Sequence, residues 1–330
     1  MRSGTQLTTN EFMKRTFKKA GQPARSIIIG IIITATSFTA TAQPGRIHEG
    51  LWKAVVRIES IVDTNGQIII GSGFLVSKQI AREAQTNMLC FLVVNKHAIG
   101  DWNLADGNIS HYFESLRIYF YTTNMSPVQV QLKDTNGLLK HLVMPHPEPK
   151  VDVVVIPLFD EFVPSAPPPM AMDVSYLMPF TSKHIGLGDQ VFALGYPAGI
   201  TSLNNYYPVA KGGYISSLPG EELRLRLMCQ NRTNAVTDTE LKGKIYLVDG
   251  FIVGGNSGGP VVIPNDLKIW VENGQLKWLG NPIDQTIGVV SQVGPHGLTV
   301  VFSSDFILEL IEAFDKRVIS FDGNRFQLKL

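Results

Sequence analysis

The chain has 330 residues, 44% hydrophobic and 17% charged, the composition of a globular protein with ample material for a core. Its net charge of +1 is unevenly spread: residues 1–42 hold six basic side chains (Arg2, Lys14, Arg15, Lys18, Lys19 and Arg25) against the single acid Glu11, which leaves 23 basic and 27 acidic side chains beyond them. A mildly acidic body lacks the basic face that binds a phosphate backbone, so nucleic acid is excluded as a partner.

The basic start runs into "SIIIGIIITATSFTATAQPG", uncharged from Ser26 to Gly45. A positive segment, an apolar stretch over 27–33 and the small-residue triplet Ala40-Thr41-Ala42 read as a signal peptide over 1–42, cut after about Ala42. The Thr- and Ser-rich second half is too polar for a comfortable spanning helix, so no stable membrane anchor is expected once it is cut. Met13 opens "MKRTFKKAG", a more usual beginning for such a leader than Met1. An exported protein, periplasmic or secreted, follows, with no cysteine after the apolar run to accept a lipid. Cys90 and Cys229 lie far apart, and a disulfide and two buried free thiols both remain open.

The body reads as strands. "KAVVRIES" (53–60), "MLCFLVVN" (88–95), "ESLRIYFY" (114–121), "VQVQL" (128–132) and "VDVVVIPL" (151–158) come first, then "QVFALGY" (190–196), "LRLRL" (223–227), "KIYLVD" (244–249) and "QTIGVVSQV" (285–293). They are β-branched or aromatic runs bounded by turn residues, and 128–132 and 223–227 alternate strictly, as half-buried antiparallel strands do. Many short strands predict an all-β barrel or sandwich. "FVPSAPPPMAM" (162–172) has four prolines in eleven residues, cannot sit inside a sheet, and reads as a linker between β units at about 46–160 and 173–302. A helix is expected over 303–317, capped by Ser304, with Phe306, Leu308, Leu310, Ile311 and Phe314 as its apolar stripe. The tail to residue 330 can close a hairpin across Asp322-Gly323-Asn324.

"GGNSGGP" (254–260) puts Ser257 in a glycine-rich loop. A serine hydroxyl attacks a carbonyl only if a base takes its proton, a third group orients the base and donors meet the developing oxyanion. The glycines allow the N–H groups of Gly255 and Ser257 to turn toward a substrate oxygen. His97 ends the apolar strand "FLVVNKHAIG", where core gives way to a loop, and Asp152 opens a strand that otherwise reads as core. A lone carboxylate there is unfavourable unless paired, and an imidazole N–H would serve. Taken alone, each is as readily a capping histidine or a turn aspartate.

Together the motifs resemble the trypsin-like, chymotrypsin-fold serine peptidases, especially exported bacterial ones of the high-temperature-requirement type. "GSGFLVS" (71–77) resembles the strand before their histidine strand, "LVVNKHAIG" their Thr-Asn-x-His motif, and "VDVVVIPL" their Asp-Leu-Ala-Val-Leu motif. "VFALGYPAG" (191–199) and "PVAKGGYIS" (208–216) resemble their second-barrel strands, and "GGNSGGPVV" their nucleophile loop. The motifs keep family order from about Trp52 to Phe314. The resemblance implies two six-stranded antiparallel barrels with a C-terminal helix, a peptidase domain over 43–330, and a cleft carrying a Ser257–His97–Asp152 triad. It implies no metal and no organic cofactor, and the remaining histidines show no metal-ligand spacing.

There are departures. The residues after Asp305 are too few for the family's common PDZ domain, and Ala98 stands where digestive members place a disulfide-forming cysteine. Ile252-Val253-Gly254-Gly255 spells their activation tetrapeptide, but beside the nucleophile it is a coincidence, and Asn256 replaces the acid it would pair with. No zymogen cleavage beyond signal removal is expected. In the resembled fold the residue six before the serine floors the primary pocket; here it is Phe251, with Ser291, Gln292 and Val293 on the flank. With no acid there, cleavage after Lys or Arg is disfavoured and a small or medium apolar side chain is expected. The expected substrate is a polypeptide; a serine esterase and a catalytically silent peptide-binding module are the other readings.

Overall fold

The computed structural model describes residues 47–63, 66–82, 85–121, 127–140, 142–158, 170–197, 200, 207–230, 236–250, 253–264, 268–272, 275–279, 284–294, 297–321 and 326–328. The leader, the prolines of 162–169, Phe251, and the turn residues 322–325 fall outside them. Residues from Ile47 onward form one compact unit.

A short helix α1 (Glu49–Lys53) leads into β1 (Val55–Ile61), β2 (Ile68–Arg82) and β3 (Gln85–Val94). A small hairpin follows, β4 (Gly100–Trp102) and β5 (Ile109–Tyr112), then β6 (Ser115–Tyr119), β7 (Val128–Gln131), β8 (Met144–Pro145), β9 (Val154–Pro157) and β10 (Met172–Asp173). One curled sheet takes the order β7-β6-β1-β2-β3-β9-β8, with β10 pairing in parallel onto β2.

The second half adds β11 (Gln190–Gly195), β12 (Val209–Ile215), the hairpin β13 (Leu223–Gln230) with β14 (Val236–Gly243), β15 (Ile245–Asp249), and β16 (Pro260–Ile263). β17 (Lys268–Glu272) and β18 (Gln275–Leu279) form another hairpin, followed by β19 (Gln285–Val293), β20 (Thr299–Ser303) and helix α2 (Asp305–Arg317). Strands β11-β12-β15-β20-β19-β16 close into a barrel. After α2, β21 (Val318–Phe321) pairs antiparallel with β22 (Phe326–Leu328), the arrangement expected of the tail.

The continuous apolar runs have a simple cause: alternate residues face two different cores. In β3 and β9, Leu92, Val94, Val154 and Ile156 enter the core of the first sheet with Val56, Ile58 and Leu75. Their neighbours Phe91, Val93, Val153 and Val155 face a second core, shared with Leu194, Val262, Val289 and Phe302 and roofed by α2. Strands buried on both faces show no polar alternation. The barrel has its own interior, including Val191, Ile215, Tyr246, Val261 and Val301.

Helix α2 lays Phe306, Ile307, Leu310, Ile311 and Phe314 on the shared core, with Phe314 edge-on to Phe91 at 5.5 Å. Each such side chain contributes roughly 1.5–3 kcal/mol of burial. Ile307 joins the expected stripe, spaced by the helical period from 311 and 314, and Leu308 packs half-buried at its edge. The cap also differs. The Ser303 hydroxyl accepts the Asp305 N–H at 3.1 Å, while the Ser304 hydroxyl donates to the Met178 carbonyl. Cys90 is a free, half-buried thiol whose pKa burial pushes up to about 12. No described helix is long and apolar enough to cross a membrane.

Candidate active site

The register of β3 and β9 brings the histidine and the aspartate together. Val94 pairs with Val154, so the residues after one strand meet those before the other. The Asn95 side-chain amide donates to the Asp152 carbonyl at 2.7 Å, and a single 3-10 turn, Lys96–Ala98, presents His97. Asp152 is fully buried and its carboxylate accepts the Lys96 N–H at 2.7 Å, the His97 N–H at 3.3 Å and the His97 ring at 2.8 Å through Nδ1. With Nδ1 donating, Nε2 is left as the imidazole's acceptor.

Burial pushes the His97 pKa down, but the Asp152 charge and hydrogen bond outweigh it, so the imidazole holds its proton more tightly than usual. Burial likewise pushes the Asp152 carboxyl up, and the His97 and Ser291 interactions bring it below the ordinary carboxylate range.

Ser291 is the residue that joins the two halves. Its hydroxyl donates to Asp152 Oδ2 at 2.6 Å, and its carbonyl accepts the Ser257 hydroxyl at 2.8 Å. Both are possible because β19 slips register against β20 between Val290 and Gln292, leaving Ser291 as an unpaired bulge residue. A bulge re-aims a side chain beside a site without ending the strand. Sequence reading had Ser291 only as a pocket flank; its side chain is turned instead to the carboxylate. Gln292 is half-buried, whereas Phe251 and the Val293 side chain lie outside the described residues.

The loop carrying Ser257 is fixed from both sides. Gly258 N–H donates to the Val290 carbonyl at 2.8 Å, and Val290 N–H to the Gly259 carbonyl at 2.9 Å. From the first sheet, Ser72 N–H donates to the Ser257 carbonyl at 2.9 Å. The Ser72 hydroxyl donates to the Gly255 carbonyl at 2.6 Å and accepts the Tyr196 N–H at 2.8 Å. Gly258 has φ +86°, and a Cβ there would stand 2.0 Å from the Ser72 carbonyl oxygen, so only glycine fits. Gly255 has φ +95°, and among the described residues neither its N–H nor that of Ser257 is taken by a hydrogen bond. Asn256 is fully buried between them, and among the described residues neither atom of its amide has a hydrogen-bond partner. The described residues contain no cluster of His, Cys, Asp and Glu able to hold a metal ion.

The site lies where a closed barrel meets a curled sheet. The fold is all-β, one closed six-stranded barrel beside a curled sheet, with a C-terminal helix. No protein-family model matches the chain, and neither does any curated protein. Solved structures do match. The active form of the Rv3671c protease from M. tuberculosis is 17% identical over 80% of this chain and 81% of that chain, with a TM-score of 0.44. The apo MamO protease domain from Magnetospirillum magneticum is 14% identical over 79% and 97%, with a TM-score of 0.44. The HtrA-type protease AlgW with a tripeptide is 16% identical over 80% and 60%, with a TM-score of 0.40.

Sequence reading missed Ser72, Lys96 and the double role of Ser291. Ser72 carried one signal, its place between glycines in "GSGF". A buried lysine and a strand bulge carry no local signature.

Proposed function

We propose that the chain is an exported serine endopeptidase, with residues 1–42 as its signal peptide. The observation that carries this reading is the hydrogen-bonded series from His97 through Asp152 and Ser291 to Ser257, which joins a base, a buried acid and a hydroxyl across the two sheets. In the reaction, Ser257 Oγ turns from the Ser291 carbonyl toward His97 Nε2, gives up its proton there and attacks the scissile carbonyl. Asp152 holds Nδ1–H and stabilises the imidazolium that forms. The Gly255 and Ser257 N–H groups receive the oxyanion. As the tetrahedral intermediate collapses, the imidazolium protonates the leaving amine, and water then cleaves the acyl-enzyme by the same relay. No cofactor takes part.

The primary pocket, with Phe251 at its floor, takes small or medium apolar side chains. Profiling a peptide library with the full chain, and with Ser257→Ala as control, tests this. Cleavage within peptides after such residues, lost in the variant, is the expected result. Cleavage chiefly after Lys or Arg contradicts the pocket assignment, and turnover of small esters without peptide cleavage favours an esterase. The resting engagement of the Ser257 hydroxyl with the Ser291 carbonyl favours a second reading, a silent peptide-binding module, which predicts binding of peptides without turnover.

A further inference from the structure

Asp152 is fully buried, and its carboxylate takes its hydrogen bonds from the turn that carries Lys96 and His97 and from Ser291. Whenever His97 is neutral the carboxylate keeps a whole charge in the protein interior, where a nearby cation adds to what the hydrogen bonds supply. Among the described residues, Lys96 is the only lysine or arginine in the buried class, at 3% exposure, and it stands between Asn95 and His97 in the turn that meets Asp152.

The Lys96 main chain donates directly to Asp152 Oδ1. Its side chain turns inward, where Nζ donates to the Glu148 carbonyl at 2.8 Å and the Pro149 carbonyl at 2.9 Å, in the turn that leads into Asp152. Trp102 Nε1 donates to the same Pro149 carbonyl at 3.2 Å, and Gly107 packs against Pro149 so closely that a Cβ would meet it at 2.3 Å. The ammonium is thus held between the turn bearing the base and the turn bearing the acid, with little freedom to reach solvent.

We propose that Lys96 is a buried counter-ion to Asp152, a positioning residue whose charge, added to the hydrogen bonds on the carboxylate, weakens the hold of His97 on its proton. Burial lowers the Lys96 pKa to about 8 while the Asp152 charge, and after it the Glu148 charge, raise it, so the ammonium is present at neutral pH. Burial aside, the Asp152 and His97 shifts come chiefly from one another and from Ser291, so the Lys96 charge acts on them from beyond direct contact. The groups facing it are Asp152 at the head of β9, Glu148 and His146 in the preceding turn, and His97 on its own turn. Glu148 is exposed, so water screens it. His146 is depressed by burial and also by the Lys96 charge, with Glu309 acting the other way, and is neutral. Asp152 is the partner without solvent to turn to.

The sign of the effect follows. If the Lys96 charge is removed, the nearest source of compensating positive charge is the imidazole itself, so protonated His97 is favoured and titrates at higher pH. The inference rests on the peptidase reading only for its rate consequence. The test is therefore a histidine-ring NMR titration of the full chain, with His97 assigned by His97→Ala, in wild type, Lys96→Met, Lys96→Gln, Lys96→Arg and Glu148→Gln. The His97 titration is expected to move to higher pH in the Met and Gln variants and to stay in place in Lys96→Arg and Glu148→Gln. Lys96→Gln keeps a donor for the carbonyls without the charge and reads the shift if Lys96→Met folds poorly. Fluorophosphonate labelling of the neutral variants at pH 6.5 should be slowed about fivefold, because less of the imidazole is available as base. An unmoved His97 titration in a folded Lys96→Gln protein, or a shift in Lys96→Arg equal to that in Lys96→Met, overturns the proposal. A shifted titration in a protein that is never labelled upholds the counter-ion and refutes the peptidase reading.

Discussion

Replacing Ser72 by alanine removes one oxygen and releases two main-chain groups. The hydroxyl is fully buried, donates to the Gly255 carbonyl at 2.6 Å and accepts the Tyr196 N–H at 2.8 Å. Alanine fills nearly the same space, so the loss is of hydrogen bonding rather than packing. A buried polar group left unsatisfied costs about 1–3 kcal/mol, which puts Ser72→Ala at roughly 2–6 kcal/mol for the pair. In a domain of this size that lowers Tm by roughly 4–12 °C. Ser77→Ala, on the same strand, is the control, since its hydroxyl makes one long bond of 3.3 Å to the Met172 carbonyl and should cost under about 1 kcal/mol. Because Gly255 carries one of the two proposed oxyanion donors, and loss of such a donor slows catalysis on the order of 10²–10³-fold, loosening its peptide should slow fluorophosphonate labelling about tenfold or more. Urea unfolding and labelling rates of the two variants are the assay. A Ser72→Ala protein that unfolds within about 0.5 kcal/mol of Ser77→Ala, or is labelled at the wild-type rate, refutes the clamp.

Two further substitutions test the nucleophile loop. Asn256→Asp places a carboxylate where the asparagine is fully buried and its amide lacks partners among the described residues, so its folded pKa rises above the unfolded value of about 3.9. The folded state then binds more protons than the unfolded one, and the variant loses stability as pH rises from about 4 toward neutral; a stability deficit equal at pH 4.5 and 7.5 contradicts this. Gly258→Ala meets the Ser72 carbonyl oxygen at 2.0 Å and must hold φ +86°, so a loss above about 3 kcal/mol is expected in denaturant titrations. Gly254→Ala, with nothing within 4 Å, should change stability by less than about 1 kcal/mol, and similar losses for the two would show the loop to be soft.

Much of the architecture was legible because burial writes itself into periodicity. The run 285–293 is a strand with the expected bounds, and 128–132 and 223–227 show the alternating burial their sequences imply. "VDVVVIPL" was read as one strand, yet only Val154–Pro157 pair in it; residues 151–153 approach the strand while Asp152 is held by side-chain and turn bonds. His97, Asp152 and Ser257 stood out as chemical types, and the structure brings the His97 ring onto the Asp152 carboxylate. The groups around them were not, for a physical reason: Ser72 meets Gly255 across 183 positions and Ser291 meets Asp152 across 139, and no local pattern encodes such separations. Lys96 misleads any composition-based reading, since a lysine between a strand and a loop looks solvated. The residue that would floor the primary pocket, Phe251, lies outside the described residues and remains a sequence expectation.

Fluorophosphonate labelling of the full chain beside Ser257→Ala and His97→Ala asks whether Ser257 is an activated nucleophile. Covalent labelling of the wild type at Ser257 and none in either variant is expected, with all three equally folded by circular dichroism. A folded wild-type protein that takes no label, or label retained in Ser257→Ala, contradicts that role.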